Sequence, residues 1–228
     1  MASTAAGVRS NFRYGAAFRP GWFPQHPGAW FLAGWTANAI WNGCSWGAYA
    51  DWGGYPAEPS YYDYGDNVVY QDDSVYIDGN DAYPAEQFDQ QAVDLATAGK
   101  AATTEDKPEE WQSLGVFAMV GEGETTSTNI FQIAVNKAGV IRGNYYNATA
   151  DTTEPIFGSV NKETQRAAWT VGERKKPVYD VGIANLTLDE TTMLVHFEGK
   201  GNAKQFMLVR IPPPPEEPAA GTTEAPGG

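Results

Sequence analysis

The side chains that could perform nucleophilic or acid–base chemistry are few in this sequence and far apart. The chain has two histidines, His26 and His196, and one cysteine, Cys44. A catalytic nucleophile needs a base beside it and a third group that orients the base, and a zinc site needs spaced Cys and His ligands. This inventory predicts neither. His196 alternates with Val195 and Phe197, so we expect it on the opposite face, as a surface or barrel-wall residue.

Carboxylate pairs are the other route to acid–base catalysis. Glu122, Glu124 and Glu198 fall at the ends of predicted strands, but solvated turn carboxylates explain them more simply. Gly121-Glu-Gly-Glu lacks the following helix that a phosphate- or dinucleotide-binding loop requires. We therefore expect a protein that is not an enzyme, with no catalytic residue and no bound cofactor.

Aspartates between Asp63 and Asp81 could converge on a hard cation, because Ca²⁺ takes six to eight oxygen ligands. Six of them share this segment: Asp63, Asp66, Asp72, Asp73, Asp78 and Asp81. Their spacing matches no EF-hand loop, and aspartate is also a common turn former that protects strand edges. Solvated turns are therefore the favoured interpretation. Calcium is the less favoured alternative, and no metal ligand is assigned.

The formal net charge of −13 is unevenly distributed along the chain. Residues 1–50 contain Arg9, Arg13 and Arg19 and no acidic residue, whereas residues 51–110 contain fifteen acidic residues and only two lysines. Nucleic-acid binding depends on neutralising phosphates with Lys and Arg. An acidic chain without a basic stripe is therefore not expected to bind nucleic acid.

Tryptophans recur through the uncharged stretch that we predict as a helix at about 28–50. They alternate at spacings of five and six residues: Trp30, Trp35, Trp41, Trp46 and Trp52. On a helix they form two stripes, so the helix would be apolar on two sides and buried. Packing against its own domain or a twin subunit is the favoured explanation. The alternatives are contact with a membrane surface, a membrane span, and a non-helical aromatic segment.

The acidic middle of the chain predicts a β-hairpin followed by a short amphipathic helix. Residues 65–70 and 72–77 are two β-prone runs preceded by turn formers. The helix is expected at about 84–98, with Pro84 in its first turn and Gly99 at its end.

The region 111–211 predicts an antiparallel β-meander. Eight β-prone runs follow one another without a helix-length interruption, at about 115–121, 129–136, 139–146, 155–161, 165–172, 178–187, 192–198 and 204–211. Short turns such as Asn136-Lys-Ala-Gly139 connect them. Such strands close into a barrel or divide into a sandwich, and we favour a small up-and-down barrel because closure removes exposed edges. The fold class is thus mainly β, with α+β elements in front.

Four segments result from these patterns. Residues 1–55 form a Trp- and Gly-rich segment with one helix, and 56–110 form the acidic Tyr/Asp hairpin and its helix. Residues 111–211 form the barrel, and 212–228 form a disordered Pro-rich tail.

Several stretches of the sequence resemble a family of uncharacterised planctomycete proteins, some of which are labelled mu-protocadherin-like. The matching stretches include Val8-Arg-Ser-Asn-Phe12, His26-Pro-Gly-Ala-Trp30, Tyr61-Tyr-Asp-Tyr-Gly65, Leu114-Gly-Val-Phe117, Ala134 to Tyr146, Thr164 to Trp169, Asn185-Leu-Thr187 and Leu194-Val-His-Phe197. The resemblance implies an exported bacterial protein, although no signal peptide is visible at the start of this sequence. It brings no established activity and no functional residue.

The favoured function is a non-enzymatic structural or interaction protein of the cell envelope or surface. In this interpretation the barrel is a scaffold, and Trp30, Trp35, Trp41 and Trp46 mediate self-assembly or attachment, as a homo-oligomer, an envelope component or a membrane-surface contact through 28–50. The alternative is a lipocalin-like or avidin-like carrier of a small hydrophobic ligand. The residues expected to line its cavity are Phe131, Tyr145, Trp169 and Phe197.

Overall fold

The computed structural model describes residues 2–79, 81–104, 107–199 and 202–215. Over these residues the chain forms four α-helices: α1 (Ala2–Asn11), α2 (Ala37–Trp41), α3 (Trp46–Gly53) and α4 (Ala85–Ala101). A small antiparallel sheet contains β1 (Val68–Gln71), β2 (Ser74–Ile77) and β3 (Asp81–Pro84). The remaining strands are β4 (Trp111–Val120), β5 (Asn129–Asn136), β6 (Val140–Asn147), β7 (Thr152–Val160), β8 (Arg166–Val171), β9 (Val178–Gly182), β10 (Glu190–His196) and β11 (Ala203–Ile211).

Strands β4 to β11 form a closed antiparallel barrel. Each strand pairs with its neighbours in sequence, and β11 returns to pair with β4, with Met207 opposite Val120 and Ile211 opposite Val116. The turn after β5 reverses through Gly139, whose φ of 84° is readily adopted only by glycine. The predicted up-and-down barrel is therefore confirmed, and the sandwich alternative is wrong.

Apolar side chains that alternate along the strands fill the barrel interior. Phe131 and Trp169 are fully buried, and their ring centroids lie 5.7 Å apart. The Tyr179 ring completes this layer, 4.9 Å from Phe131 and stacked 6.0 Å from Trp169. An eight-stranded barrel has an interior just wide enough for side chains to fill, and these three rings occupy it at this level.

The outer wall of the barrel is also buried. The first fifty residues place Phe18, Trp22 and Trp41 against outward apolar residues of β4, β5, β6 and β11. Helix α4 covers β7, β8 and β9, and the small sheet packs on Leu194 of β10. Most of the wall thus lies beneath a second layer, which is called the sheath here (residues 2–79 and 81–104).

The segment predicted as one helix at about 28–50 contains two short helices instead. Helix α2 begins after Thr36, whose hydroxyl accepts from the Ala39 amide at 3.2 Å. Helix α3 begins after Ser45, whose hydroxyl accepts from the Ala48 amide at 3.4 Å. Ser and Thr side chains hydrogen-bond to nearby backbone groups, which disfavours them inside helices and favours them at N-caps. Thr36 and Ser45 therefore start new helices rather than continue one. The two predicted tryptophan stripes therefore do not form.

The acidic segment contains the predicted hairpin as β1 and β2, and a third strand, β3, that was not predicted. The amphipathic helix is confirmed, but α4 continues through Gly99 to Ala101. A Cβ atom at Gly99 would overlap the backbone of Gly158 in β7. Gly99 is therefore a close-packing position within the helix and not its end.

The Pro-rich tail predicted for 212–228 lies outside the described residues from 216 onward. Just before that point, Arg19 donates to the Pro215 carbonyl at 3.0 Å. Across the described ranges, no helix combines the length and the apolar character needed to cross a bilayer.

Candidate functional site: a buried charge cluster beneath helix α4

Three polar side chains project from the outer face of neighbouring strands beneath α4. Arg166 lies on β8, Asp180 on β9 and His196 on β10, and antiparallel pairing brings the three strands side by side. Alternation puts these side chains opposite the interior residues Trp169 and Val195. Their relative exposures are only 2%, 0% and 2%. Ionisable groups are rarely buried to this extent unless they are paired, so their partners decide what the site can do.

Asp180 is the centre of the pairing. Its two carboxylate oxygens accept from Arg166 Nε at 3.0 Å and Nη2 at 2.5 Å. The second of these oxygens also lies 2.9 Å from His196 Nε2. The other ring nitrogen, Nδ1, lies 3.2 Å from Oδ1 of Asp89 on α4. The Tyr70 hydroxyl donates to the same Asp89 oxygen at 2.8 Å. Arg166, Asp180, His196 and Asp89 are called the charge cluster below.

In the charge cluster, burial and the neighbouring charges shift each pKa in opposite directions. Burial raises the pKa of Asp180, but the Arg166 guanidinium and the His196 contact outweigh it and hold this pKa well below its usual range. Burial lowers the pKa of His196, but the two carboxylates outweigh it and the net shift is upward. Burial likewise opposes ionisation of Asp89, yet hydrogen bonds from His196 and Tyr70 lower its pKa overall. The guanidinium and the imidazole therefore face two carboxylates, and each pKa shift of His196, Asp180 and Asp89 favours the charged form of its group.

The charge cluster also binds the sheath to the barrel. Arg166 Nη1 donates to the Phe88 carbonyl of α4 at 2.9 Å, and its guanidinium lies 3.4 Å from the centroid of the Phe88 ring. Asp89, the His196 partner, directly follows Phe88 in the same turn of α4. One turn of α4 is thus held by a hydrogen bond, a cation–π contact and an ion pair.

A His–Asp pair is also a component of nucleophilic catalytic sites. Here both ring nitrogens of His196 face carboxylates, so neither is available to take a proton from a substrate, and α4 covers the group. Among the described residues, no set of three or more Cys, His, Asp or Glu side chains is placed to hold a metal ion. The arrangement is suited to joining two layers of the protein.

The aspartates considered as calcium ligands lie along successive turns of the acidic segment. Asp72 and Asp73 form the β1–β2 turn, Asp63 accepts from the Asn185 amide at 3.0 Å, and Asp78 from the Asn67 amide at 3.2 Å. The side chain of Asp81 lies outside the described residues.

Uncharged polar residues on the outer wall bind the sheath in the same way, through its backbone. Asn144 of β6 accepts from the Trp30 amide at 2.7 Å and donates to the Trp30 carbonyl at 2.8 Å. Thr192 of β10 accepts from the Tyr64 amide at 2.8 Å. Gln165, just before β8, accepts from the Ser60 amide at 2.7 Å and donates to the Glu58 carbonyl at 2.9 Å. These bonds satisfy backbone groups in segments that lack regular structure of their own.

The predicted cavity residues lie in or near the barrel core but are not equivalent. Phe131 contacts both Trp169 and the ring of Tyr145, which lies 5.2 Å away. Tyr145 is partly buried, and its hydroxyl donates to Asn129 Oδ1 at 2.6 Å. Phe197 is partly buried beyond the end of β10, with the Lys204 ammonium 5.9 Å from its ring centroid.

The four predicted attachment tryptophans are separated by the structure. Trp41 is buried in the outer-wall layer, and Trp46 is buried and contacts the Tyr49 ring at 5.7 Å. Trp30 and Trp35 meet edge to face at 6.1 Å and are partly buried. Only Trp30 and Trp35 are therefore brought together.

The histidines and the cysteine lie in separate environments. His26 stacks on Trp22 at 3.7 Å, and its Nε2 is 3.4 Å from Asp151 Oδ1. Burial raises the pKa of the Cys44 thiol to about 11, which keeps it protonated and weakly nucleophilic near neutral pH.

Sequence reasoning missed Arg166, Asp180 and Asp89 as one group, and it placed His196 on a wall without recognising its partners. The sequence did contain a signal: each of three successive strands carries one ionisable residue on its outward face. Alternation identifies that face but does not reveal that α4 covers it.

In comparisons with known proteins, no family model, no curated protein and no solved structure matches the chain.

Proposed function

We propose that the chain is a non-enzymatic structural or interaction protein of the cell envelope, in which a filled and sheathed barrel is the rigid support for a partner-binding surface. The observation that carries the proposal is the aromatic layer of Phe131, Trp169 and Tyr179, which occupies the barrel interior. A barrel filled in this way serves better as a support than as a container.

The sheath supports the same conclusion. The ionisable side chains of the outer wall that resemble catalytic groups, His196 and Asp180, are buried, with Asp180 bonded to Arg166 and His196 and with Asp89 3.2 Å from the second His196 nitrogen. Their contacts fix α4 on the barrel. The outer surface of α4 is then available to a partner. The envelope location is supported by the resemblance to exported planctomycete proteins.

The burial of Trp41 and Trp46 changes how attachment would work. Their rings are used in packing the sheath, so a surface contact would depend on Trp30, Trp35 and the neighbouring Phe31, which is 38% exposed. The acidic side of the sheath, formed by the small sheet and α4, is the other candidate contact surface.

Co-sedimentation with isolated planctomycete envelope fragments tests the proposal. Folded full-length protein should pellet with the fragments, and a folded variant in which Phe31 is replaced by Ser reports whether the aromatic corner contributes. Protein that stays in the supernatant, and that instead binds one equivalent of a fluorescent fatty acid with quenching of tryptophan emission, would contradict the scaffold role and support the carrier.

A further inference from the structure

A groove of about 690 Å³ lies between the small sheet, the first turn of α4 and the barrel strands β10 and β11. This volume is within the range of about 300–1,000 Å³ that is usual for ligand sites. It is called the β1–α4 groove here. It lies on the sheath and is separate from the barrel interior.

The floor of the β1–α4 groove is largely apolar. Val68 of β1 and Leu194 of β10 are buried there, and Ala203 of β11 is partly buried. Val69 also lines the groove and is 39% exposed, one of three large apolar side chains on the described surface that are exposed to this degree. An apolar side chain of a partner would therefore find apolar contacts in this groove.

The charged residues that line the groove are all acidic. Asp72 and Asp73 come from the β1–β2 turn, and Glu86 and Asp89 come from α4. Asp89 is bound to His196 and Tyr70, whereas Asp72 and Asp73 have no ion-pair partner among the described residues. No described lysine, arginine or histidine lines the groove. The positive end of α4 also lies here, but about half a unit charge is small against the carboxylates of Asp72, Asp73 and Glu86.

Strand β1 is an edge of the small sheet and lines the same groove. The Val68 amide and carbonyl point away from β2, toward the carbonyl of Asp63 at 3.2 Å and the amide of Gly65 at 2.9 Å. Alternation along an antiparallel strand puts the amide and carbonyl of Tyr70 on this same outer side. Among the described residues, neither of these two Tyr70 groups has a backbone hydrogen-bond partner outside the sheet. An extended chain could bond to this edge.

We propose that the β1–α4 groove binds an extended, basic peptide segment of a partner protein, with apolar side chains on the Val68–Leu194 floor and Lys or Arg ammonium or guanidinium groups at Asp72 and Asp73. The proposal rests on the interaction role proposed above and names the chemistry of the partner. Each of three features selects one property of this occupant: the apolar floor, the acidic rim and the outward backbone groups of Tyr70. A small polyamine would satisfy only the rim.

Binding of a labelled, capped Lys-Val-Lys-Val-Lys-Val peptide to the full chain tests this proposal by fluorescence anisotropy. We expect saturable binding that weakens as salt rises, because the rim carboxylates are exposed. The capped Glu-Val-Glu-Val-Glu-Val peptide should not bind, and spermine should compete weakly. Amide NMR shifts should centre on Val69 and Tyr70. Binding of both peptides alike, tighter binding of spermine, or no binding of the lysine peptide would overturn the proposal.

The variant Asp72→Asn/Asp73→Asn should weaken peptide binding at least fivefold. Asn tolerates the positive φ of 53° at position 72, so the turn should be retained. The matched control, Asp51→Asn/Glu163→Gln, removes two exposed charges elsewhere and should change binding less than twofold. Equal weakening in both variants would show a general charge effect and overturn the site. If the unaltered chain fails to bind the lysine peptide but still co-sediments with envelope fragments, this inference alone is refuted, whereas failure of the unaltered chain to co-sediment would refute the proposed function.

Discussion

The two faces of the barrel wall are both buried, but they are held together by different interactions. Inside, aromatic and aliphatic side chains pack on one another, as Phe131, Trp169 and Tyr179 do. Outside, polar side chains reach across to the sheath, as Asn144 does to the backbone of Trp30 and Asp89 does to His196. The interior tolerates changes of apolar shape at a moderate energetic cost, whereas the outer wall depends on each polar group keeping its partner.

The largest expected effect is from Asp180→Ala, which leaves the buried Arg166 guanidinium without the carboxylate that accepts hydrogen bonds from its Nε and Nη2. Breaking a buried pair by removing one partner costs about 3–5 kcal/mol. We expect a loss of unfolding free energy at the upper end of this range, measured by urea denaturation. The double variant Arg166→Met/Asp180→Leu should lose less, since it removes both charges. A loss of under ~1 kcal/mol for Asp180→Ala would contradict a sealed charge cluster.

Trp169→Ala tests the interior and should come next in size. Removing a fully buried indole leaves a cavity and costs about 3–5 kcal/mol. Because the cavity is apolar, added indole should restore part of the thermal stability by mass action. Trp52→Ala, at a partly exposed site beside Lys137, should cost clearly less. A small loss with no effect of indole would indicate that the interior is not filled by this ring.

Asn144→Ala should have a smaller effect, confined to the outer wall. It removes both hydrogen bonds to Trp30, and burial of an unsatisfied polar group costs about 1–3 kcal/mol. Hydrogen exchange of the Trp30 amide should accelerate. Asn202→Ala in the exposed β10–β11 hairpin is the matched control and should stay within about 0.5 kcal/mol. Equal costs at the two sites would argue against a tightly bound sheath.

The pH dependence of stability is the smallest expected effect. The raised pKa of His196 means that its contribution is fully present below about pH 6.5 and is lost as the pH rises through the folded pKa. The lowered pKa of Asp89 means that its contribution is lost as the pH falls through its own folded pKa. Urea denaturation across pH should show both declines, and His196→Gln should lack the alkaline one. An unchanged alkaline decline in the variant would assign it to another group.

The barrel could be predicted from the sequence because its determinants are local. Runs such as Phe131, Ile133 and Val135 identify one apolar face, and Gly139 marks a tight reversal, so each hairpin is specified by neighbouring residues. The failed helix at 28–50 has a local cause as well. Thr36 and Ser45 can sit in helices or cap them, and contact with the barrel selects the caps.

The charge cluster could not be assembled from the sequence because its members come from distant parts of the chain. Arg166, Asp180 and His196 are brought together by strand pairing, which the meander implies, but Asp89 comes from α4. Nothing in the helix pattern states on which strands α4 packs. An outward charged residue therefore looks solvated until the covering element is placed.

The most direct test of a sealed outer wall is an NMR titration of the His196 imidazole in the full chain, with His26 as the assignment reference. The structure predicts a pKa above the ordinary histidine value and ring N–H protons that exchange slowly with water at neutral pH, because the ring is buried with Asp180 2.9 Å from Nε2 and Asp89 3.2 Å from Nδ1. An ordinary or lowered pKa together with rapid exchange would mean that α4 does not close over the charge cluster and would contradict the account.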